Sequence, residues 1–375
     1  MTKMMSFYLP TRIIRGRGCI REHSALFRTM GKRAIIVTGK RSAKMNGSEQ
    51  DVKKALEQHQ VSSVVFDGVE SNPSVLHCRE AAELAKKENV DFVVGIGGGS
   101  PLDAAKVTAI LATNSIDDET LFSNAFSRPP LPLAAVPTTA GTGSEVTPYS
   151  IMTNNTIQSK STVVNDAIFP KVAFLDAAYT ESLPRSVTIH TALDALSHAV
   201  ESYLSARATD ISSFIALESI RIMGACLPHL SDGSAIDSSV RDRLLYASLL
   251  GGVAIAQTAT TALHAMGYSL TYFKNIDHGR ANALLLYEYL KYIYGHDAGK
   301  VMIVLEALDL KDLDELGDVL DDLLGERETI SEQEIETFST IAMKARNIPF
   351  TLRTPVKEEL ETMLRRSFPQ QRPKK

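Results

Sequence analysis

Phe92 to Lys106 reads FVVGIGGGSPLDAAK, and this stretch decides the fold. Phe92–Ile96 is a short, β-branched apolar run of the kind that forms a strand buried on both faces. Three glycines follow it, Gly97, Gly98 and Gly99, and then Ser100 as a capping residue and Pro101 as a first-turn residue. Asp103, Ala104, Ala105 and Lys106 continue a helix. Strand, glycine turn and helix in this order make half of a βαβ unit. The turn also has a chemical use. Glycines let a ligand approach the backbone closely, and a helix N-terminus offers free N–H groups and positive partial charge. The turn is therefore a candidate phosphate site, although the spacing is not the common GxGxxG fingerprint.

Working outward, Ala34–Thr38, Ser63–Phe66, Leu133–Val136 and Val172–Leu175 read as further buried strands. Gln50–Gln58 and Val75–Glu88 carry helix-period apolar residues between them. The alternation predicts an α/β domain over residues 1–182, a parallel sheet covered by helices. From about Pro184 the pattern becomes long and helical, with helices expected over 187–204, 212–227, 239–258, 281–294 and 332–346, the last opened by a Ser331/Glu334 capping box. Residues 183–375 are expected to form an all-α domain. The acidic run 309–328 carries leucines at helical spacing and reads as a solvated helix face.

Two further loops follow apolar strands. Pro137–Glu145 (PTTAGTGSE) gathers four hydroxyls, Thr138, Thr139, Thr142 and Ser144, with two glycines, enough to hydrogen-bond a sugar or a phosphate from several directions. Gly39, Lys40, Arg41 and Ser42 place two cations and a hydroxyl after the first of the helix-covered strands, at the edge where open α/β sheets bind ligands.

The helical half holds a second constellation. Asp194 and His198 are four residues apart in LDALSHAVE, so one helix face presents both to a single ion. His264 occurs in ALHAMGYSL and His278 in DHGRANALL. One carboxylate with three neutral imidazoles suits ferrous iron, zinc or another divalent first-row metal.

Composition narrows the partners. A chain of 375 residues has length for two or three domains, and 44% hydrophobic with 22% charged residues is ordinary for a globular protein. Forty basic residues against 44 acidic ones leave a net charge of -4, which offers no broad positive field for nucleic acid. Cys19, Cys78 and Cys226 are odd in number and widely spaced, which fits a reducing cytosol. The N-terminal MTKMMSFYLPTR lacks the apolar core of a signal peptide, and no run approaches the roughly 18 apolar residues of a membrane span. A cytoplasmic protein with no membrane partner is the expectation.

Together these segments resemble the iron-containing (group III) alcohol dehydrogenase family. The likeness covers nearly the whole chain: FYLPTRIIRGRG, GKRAIIVTGK, the SNPS turn at Ser71–Ser74, GGGSPLDAAK, PTTAGTGSEVTPYSIMTN, LDALSHAVESYLS, and HAMGYSL with DHGRANALLL. The resemblance implies a dehydroquinate synthase-like architecture: an N-terminal nicotinamide-cofactor domain, a C-terminal helical metal domain, a cleft between them and a homodimer. It carries the metal ligands onto Asp194, His198, His264 and His278. Gly98, Gly99 and Ser100 would hold the pyrophosphate, Thr138, Thr139 and Thr142 would flank the adenosine and ribose, and Asn72 and Lys160 match further cofactor contacts. The implied reaction is hydride transfer between a nicotinamide cofactor and a small primary alcohol or aldehyde, of the butanol or 1,3-propanediol type, with Fe2+ or Zn2+.

Two positions narrow the family picture. Members that prefer NAD often carry Asp where this chain has Gly39, followed by Lys40 and Ser42, so NADP(H) is expected over NAD(H). Many members also read HxxxH around the third ligand, whereas this chain has Tyr268 four residues after His264; a tyrosine hydroxyl is a poorer shuttle at neutral pH, so the candidates for the proton relay are Tyr268 and a route through a cofactor ribose hydroxyl and water. The alternatives of the same architecture are a glycerol dehydrogenase-like enzyme and a 3-dehydroquinate synthase-like enzyme, the second needing cations for a phosphorylated substrate.

Overall fold

Successive residues of a strand point to opposite faces, and in the central strands both faces are apolar. In the computed structural model, which describes residues 5–369, eight strands form: β1 (Arg12–Arg15), β2 (Arg33–Gly39), β3 (Ser62–Val69), β4 (Phe92–Gly97), β5 (Leu133–Pro137), β6 (Tyr149–Asn154), β7 (Ser159–Val164) and β8 (Val172–Leu175). Six make a parallel sheet in the order β1-β8-β5-β4-β2-β3, while β6 and β7 form a separate antiparallel hairpin. Residues 1–4, which open the stretch read above for a leader, and residues 370–375 lie outside the described part.

Alternation divides the core in two. Ala34 and Ile36 of β2, with Phe92, Val94 and Ile96 of β4, pack on Val52, Ala55 and Leu56 of the helix Ser48–Gln58. Ile35, Val37 and Val93 face the opposite way, onto the helices Val75–Lys87 and Gly99–Thr113. The helix after β2 thus covers one face and those after β3 and β4 cover the other. The chain departs in opposite directions from the adjacent strands β2 and β4, whose register pairs Thr38 with Ile96. Such a reversal opens a crevice at the C-terminal strand ends, where ligands of open α/β sheets bind. The loops beginning at Gly39 and Gly97 flank it.

The chain separates into two compact units. One comprises Leu9–Pro184 with Asp237–Leu245, and the other comprises 5–8, 185–236 and 246–369 among the described residues. The second unit is helical. Its helices Arg185–Tyr203, Ala262–Lys274 and His278–Tyr294 form its centre: the third packs against both others. The Ser331 capping box forms as expected, Ser331 N donating to Glu334 Oε2 at 2.8 Å and Glu334 N to Ser331 Oγ at 3.2 Å. Among the described residues no single helix is long and apolar enough to cross a membrane.

Candidate functional site

In the sheet unit, β4 ends at Gly97, whose φ of +147° is open only to glycine, and Gly98 begins the turn into the helix Gly99–Thr113. The hydroxyl-rich loop lies directly on this turn. Thr138 N donates to Gly97 O at 2.9 Å. A Cβ at Gly98 would lie 3.1 Å from Thr139 Oγ1, and one at Gly99 would lie 2.7 Å from Thr142 Cγ2. Glycine is required here because two loops share the space beside the free helix N-terminus. Ser100 sits in the first turn of that helix.

Beneath the turn is a buried polar network in which Asp103, expected to be a structural part of the glycine-rich motif, is joined by Lys106 and Glu145, whose roles the sequence did not reveal. Lys106 is fully buried and its Nζ donates to Tyr149 O (2.6 Å), Ser144 Oγ (2.8 Å) and Thr147 Oγ1 (3.3 Å). Asp103 accepts from Ser144 Oγ at 2.6 Å and from Ile151 N at 2.8 Å. This pair ties the helix after the glycines to the hydroxyl loop and to β6. Burial pushes Lys106 down to about 8 despite the Asp103 and Glu145 charges, and it pushes Glu145 up to about 7. Asn72, in the left-handed region at φ +59°, accepts from Lys160 Nζ at 2.8 Å through its side-chain oxygen, so these two expected cofactor contacts are brought together. At the end of β2, Lys40 and Ser42 are exposed beside Gly39, and Asp67 of β3 is engaged by Lys44 Nζ at 2.6 Å.

In the helical unit, ligand atoms of Asp194, His198 and His264 all lie within 4.8 Å of one another, and all three residues are buried. His278 stands at the rim, its Nε2 4.0 Å from Asp194 Oδ1 and its ring centroid 5.2 Å from that of His264. Local sequence explains the convergence. Asp194 and His198 lie one turn apart on one helix, and His278 opens the helix that packs against it, with Gly279 abutting His190 O. A carboxylate oxygen and imidazole nitrogens this close together are a donor set that fits a divalent cation, and the Asn282 amide nitrogen reaches Asp194 Oδ1, His264 Nε2 and His278 Nε2 at 2.9–3.3 Å. The groups are electrostatically coupled, and without a cation the ring proton of His264 takes part of its place. Burial alone would raise the Asp194 pKa, but the imidazoles of His198, His278 and His264 hold it well below the usual carboxylate range. Burial alone would lower that of His264, yet the Glu201 and Asp194 carboxylates push it up to about 10.

Tyr268 lies one turn after His264 and stacks on His278, with ring centroids 5.6 Å apart at 10°, while meeting His264 edge-on at 6.4 Å. Arg280 is the cation next to a ligand. Its Nε donates to Glu328 Oε1 at 2.7 Å and its Nη1 to Leu324 O at 2.6 Å, so it is not directed at a substrate phosphate. Sequence reading missed Glu201, Thr261 and Asn282. Asn282 Nδ2 donates to Asp194 Oδ1 at 2.9 Å and approaches His264 Nε2 at 3.0 Å. The available signal for Glu201 was an acid three residues after His198, one turn beyond it on the same helix.

Comparison with known proteins follows the same division. Residues 10–177 match the family model described as iron-containing alcohol dehydrogenase, and 188–368 match that of the Fe-containing alcohol dehydrogenase family, C-terminal. The chain is 38% identical over 285 residues to alcohol dehydrogenase 4 of Schizosaccharomyces pombe, covering 75% of this chain and 67% of that protein. It is 36% identical over 270 residues to 1,3-propanediol dehydrogenase of Citrobacter freundii, covering 70% and 68%. A crystal structure of an iron-containing alcohol dehydrogenase from Thermotoga maritima superposes with a TM-score of 0.91 at 37% identity, covering 97% of this chain and 99% of that one.

Proposed function

The chain belongs to the iron-containing alcohol dehydrogenase family and is an NAD(P)-dependent oxidoreductase acting on alcohols; from that premise we propose that it interconverts a small primary alcohol and its aldehyde with NADP(H). The substrate class we favour is that of butanol and 1,3-propanediol. The observation that carries the reading is the meeting of Asp194, His198 and His264, with His278 beside them. These four are the proposed ligands of a divalent cation, Fe2+ first and Zn2+ second. When bound, such a cation supplies Lewis acidity that lowers the pKa of an alcohol, and the nicotinamide accepts the hydride. The chain's own residues do the rest. Gly98, Gly99 and Ser100 present helix N–H groups to the pyrophosphate, Thr138, Thr139 and Thr142 offer hydroxyls to the nucleoside, and Asn72 with Lys160 adds an amide and a cation. Tyr268, stacked on His278, is the proposed proton relay.

NADP(H) is favoured by charge. Gly39 puts no carboxylate at the end of β2, Lys40 and Arg41 are exposed beside it, and Asp67 is already compensated by Lys44. A 2′-phosphate is therefore not repelled there. The engagement of Arg280 by Glu328 weighs against a substrate held by phosphate, as in 3-dehydroquinate synthase. A glycerol dehydrogenase-like activity is a matter of substrate screening. We assign residues 1–182 to the cofactor and 183–375 to the metal. The same reading proposes a cytoplasmic homodimer, the dimer from the family resemblance alone.

The test is steady-state kinetics on protein of defined metal content, with butyraldehyde and NADPH. His264→Ala or His278→Ala is expected to lose metal retention and turnover together, and a metal-free variant at full rate overturns the reading. For the cofactor, kcat/KM is expected to be at least tenfold higher with NADPH than with NADH. Gly39→Asp should reverse that order, since a Cβ there meets Val69 O at 3.4 Å, an ordinary contact, while the new charge opposes the 2′-phosphate.

A further inference from the structure

Glu201 lies two turns after Asp194 on the same helix and is fully buried, and its hydrogen-bond partners Thr261 and His264 are buried as well. An isolated buried carboxylate is costly, so its partners matter. Oε1 accepts three hydrogen bonds from the start of the helix Ala262–Lys274: Thr261 N at 2.7 Å, Thr261 Oγ1 at 2.6 Å and His264 N at 3.3 Å. Thr261 makes no side-chain cap of its own for this helix, so the carboxylate of a neighbouring helix supplies the cap. Tyr289 OH stands 2.9 Å from Thr261 Oγ1, and since that hydroxyl donates to Glu201 it accepts from Tyr289. The other oxygen, Oε2, is hydrogen-bonded to Nδ1 of His264.

This division of labour decides which ring nitrogen of His264 is left for a cation. Nδ1, held by Glu201, keeps its proton, so Nε2, which faces Asp194 Oδ1 at 3.6 Å and Asn282 Nδ2 at 3.0 Å, is the nitrogen a cation would take once its own proton is displaced. We propose that Glu201 is the positioning residue that fixes His264 as an Nε2 donor, by capping the helix that carries it and by holding its Nδ1 proton. The proposal rests on the metal-centre reading above and adds a residue that does not itself touch the cation. Carboxylate support of a ligating imidazole is a general device, and its loss costs metal sites about 10- to 100-fold in affinity.

Glu201→Gln is the informative change because it keeps the shape. Three donors compete for the single amide oxygen, which turns the NH2 toward Nδ1. That nitrogen must then accept, so the ring proton moves to Nε2 and blocks the lone pair. Metal-stripped full-length protein is titrated with Co2+ by calorimetry, and the visible spectrum is recorded on the loaded form. The expected result is that Glu201→Gln binds Co2+ about 10- to 100-fold more weakly than the parent, with an altered spectrum. A glutamate that merely supports the fold would lower the thermal midpoint of stripped and loaded protein equally and leave affinity and spectrum unmoved, and that result overturns the proposal. Failure of the parent itself to bind Co2+ more tightly than His264→Ala overturns the metal-centre reading and the proposal with it, whereas tight parental binding unchanged in Glu201→Gln overturns the proposal alone. Should Glu201→Gln not fold, the Zn2+ form of the parent labelled with 15N-histidine decides. A downfield Nδ1–H resonance absent from His264→Ala is expected, and His264 found ligating through Nδ1 overturns the proposal.

Discussion

A methyl group at Gly279 would sit 2.0 Å from His190 O and 3.0 Å from Asp194 Cβ. Neither neighbour can yield, because His190 and Asp194 share the helix Arg185–Tyr203 and the contact sets how closely the helix opening at His278 approaches it. Gly279→Ala is expected to destabilise the protein by about 1–3 kcal/mol, and to lower metal content by moving His278 away from Asp194. Gly299→Ala is its control: there a Cβ meets only Asp297 Oδ1 at 3.6 Å, and stability should hold or rise slightly. Denaturant titration with metal analysis of both variants checks this. At this scale the sequence spoke unevenly. Asp194 and His198 announce a shared face through their spacing. His264 and His278 lie 66 and 80 residues beyond His198, and without the family resemblance nothing local joins them to it. Glu201 and Asn282 stayed silent because their importance lies in what they touch across helices, which no spacing along one helix records.

Among the elements, the five strands read from apolar runs all form; β2, β4, β5 and β8 are buried on both faces and advertise it by continuous hydrophobicity, while β3 is a half-buried edge strand that its SVVF run still marks. β1 and the β6–β7 hairpin were not read. β1 is the four residues RIIR, an edge strand whose partner β8 lies about 160 positions away, with Arg12 opposite Val172. β6 and β7, YSIMTN and SKSTVV, are half-exposed and polar, and the turn between them has Gln158 rather than glycine at positive φ. The network under the glycine turn gives an element-scale prediction in pH. Glu145, pushed up from 4.5 to about 7 by burial, keeps its proton in the folded state across the interval in which the unfolded chain has lost it. The folded state therefore binds more protons between pH 4.5 and 7, and this group's contribution to stability falls as pH rises through that window. The cost is absent below it and complete above it. Glu145→Gln should flatten that slope and gain roughly 1–3 kcal/mol at pH 8, measured by denaturant titration at several pH values.

At the scale of the whole chain, the change from alternating strands and helices to helices alone was visible in composition and period. The inclusion of Asp237–Leu245 with the sheet-bearing unit was not, since these residues begin a helix of the same texture as those around it. Binding at the Asp194 cluster should stabilise the native chain by mass action: chelation is expected to lower the thermal midpoint and Co2+ to restore it in the parent, while His264→Ala responds to neither. Differential scanning calorimetry reads this directly. The helix Arg185–Tyr203 sets a constraint on how such a chain can diverge. It works as a ruler, with Asp194, His198 and Glu201 as its graduations, and each added residue turns everything beyond it by about 100° and lifts it about 1.5 Å. Substitution can retune the walls of the cation site without limit on number. Lengthening or shortening this interval by a single position would aim its acids and its imidazole in different directions.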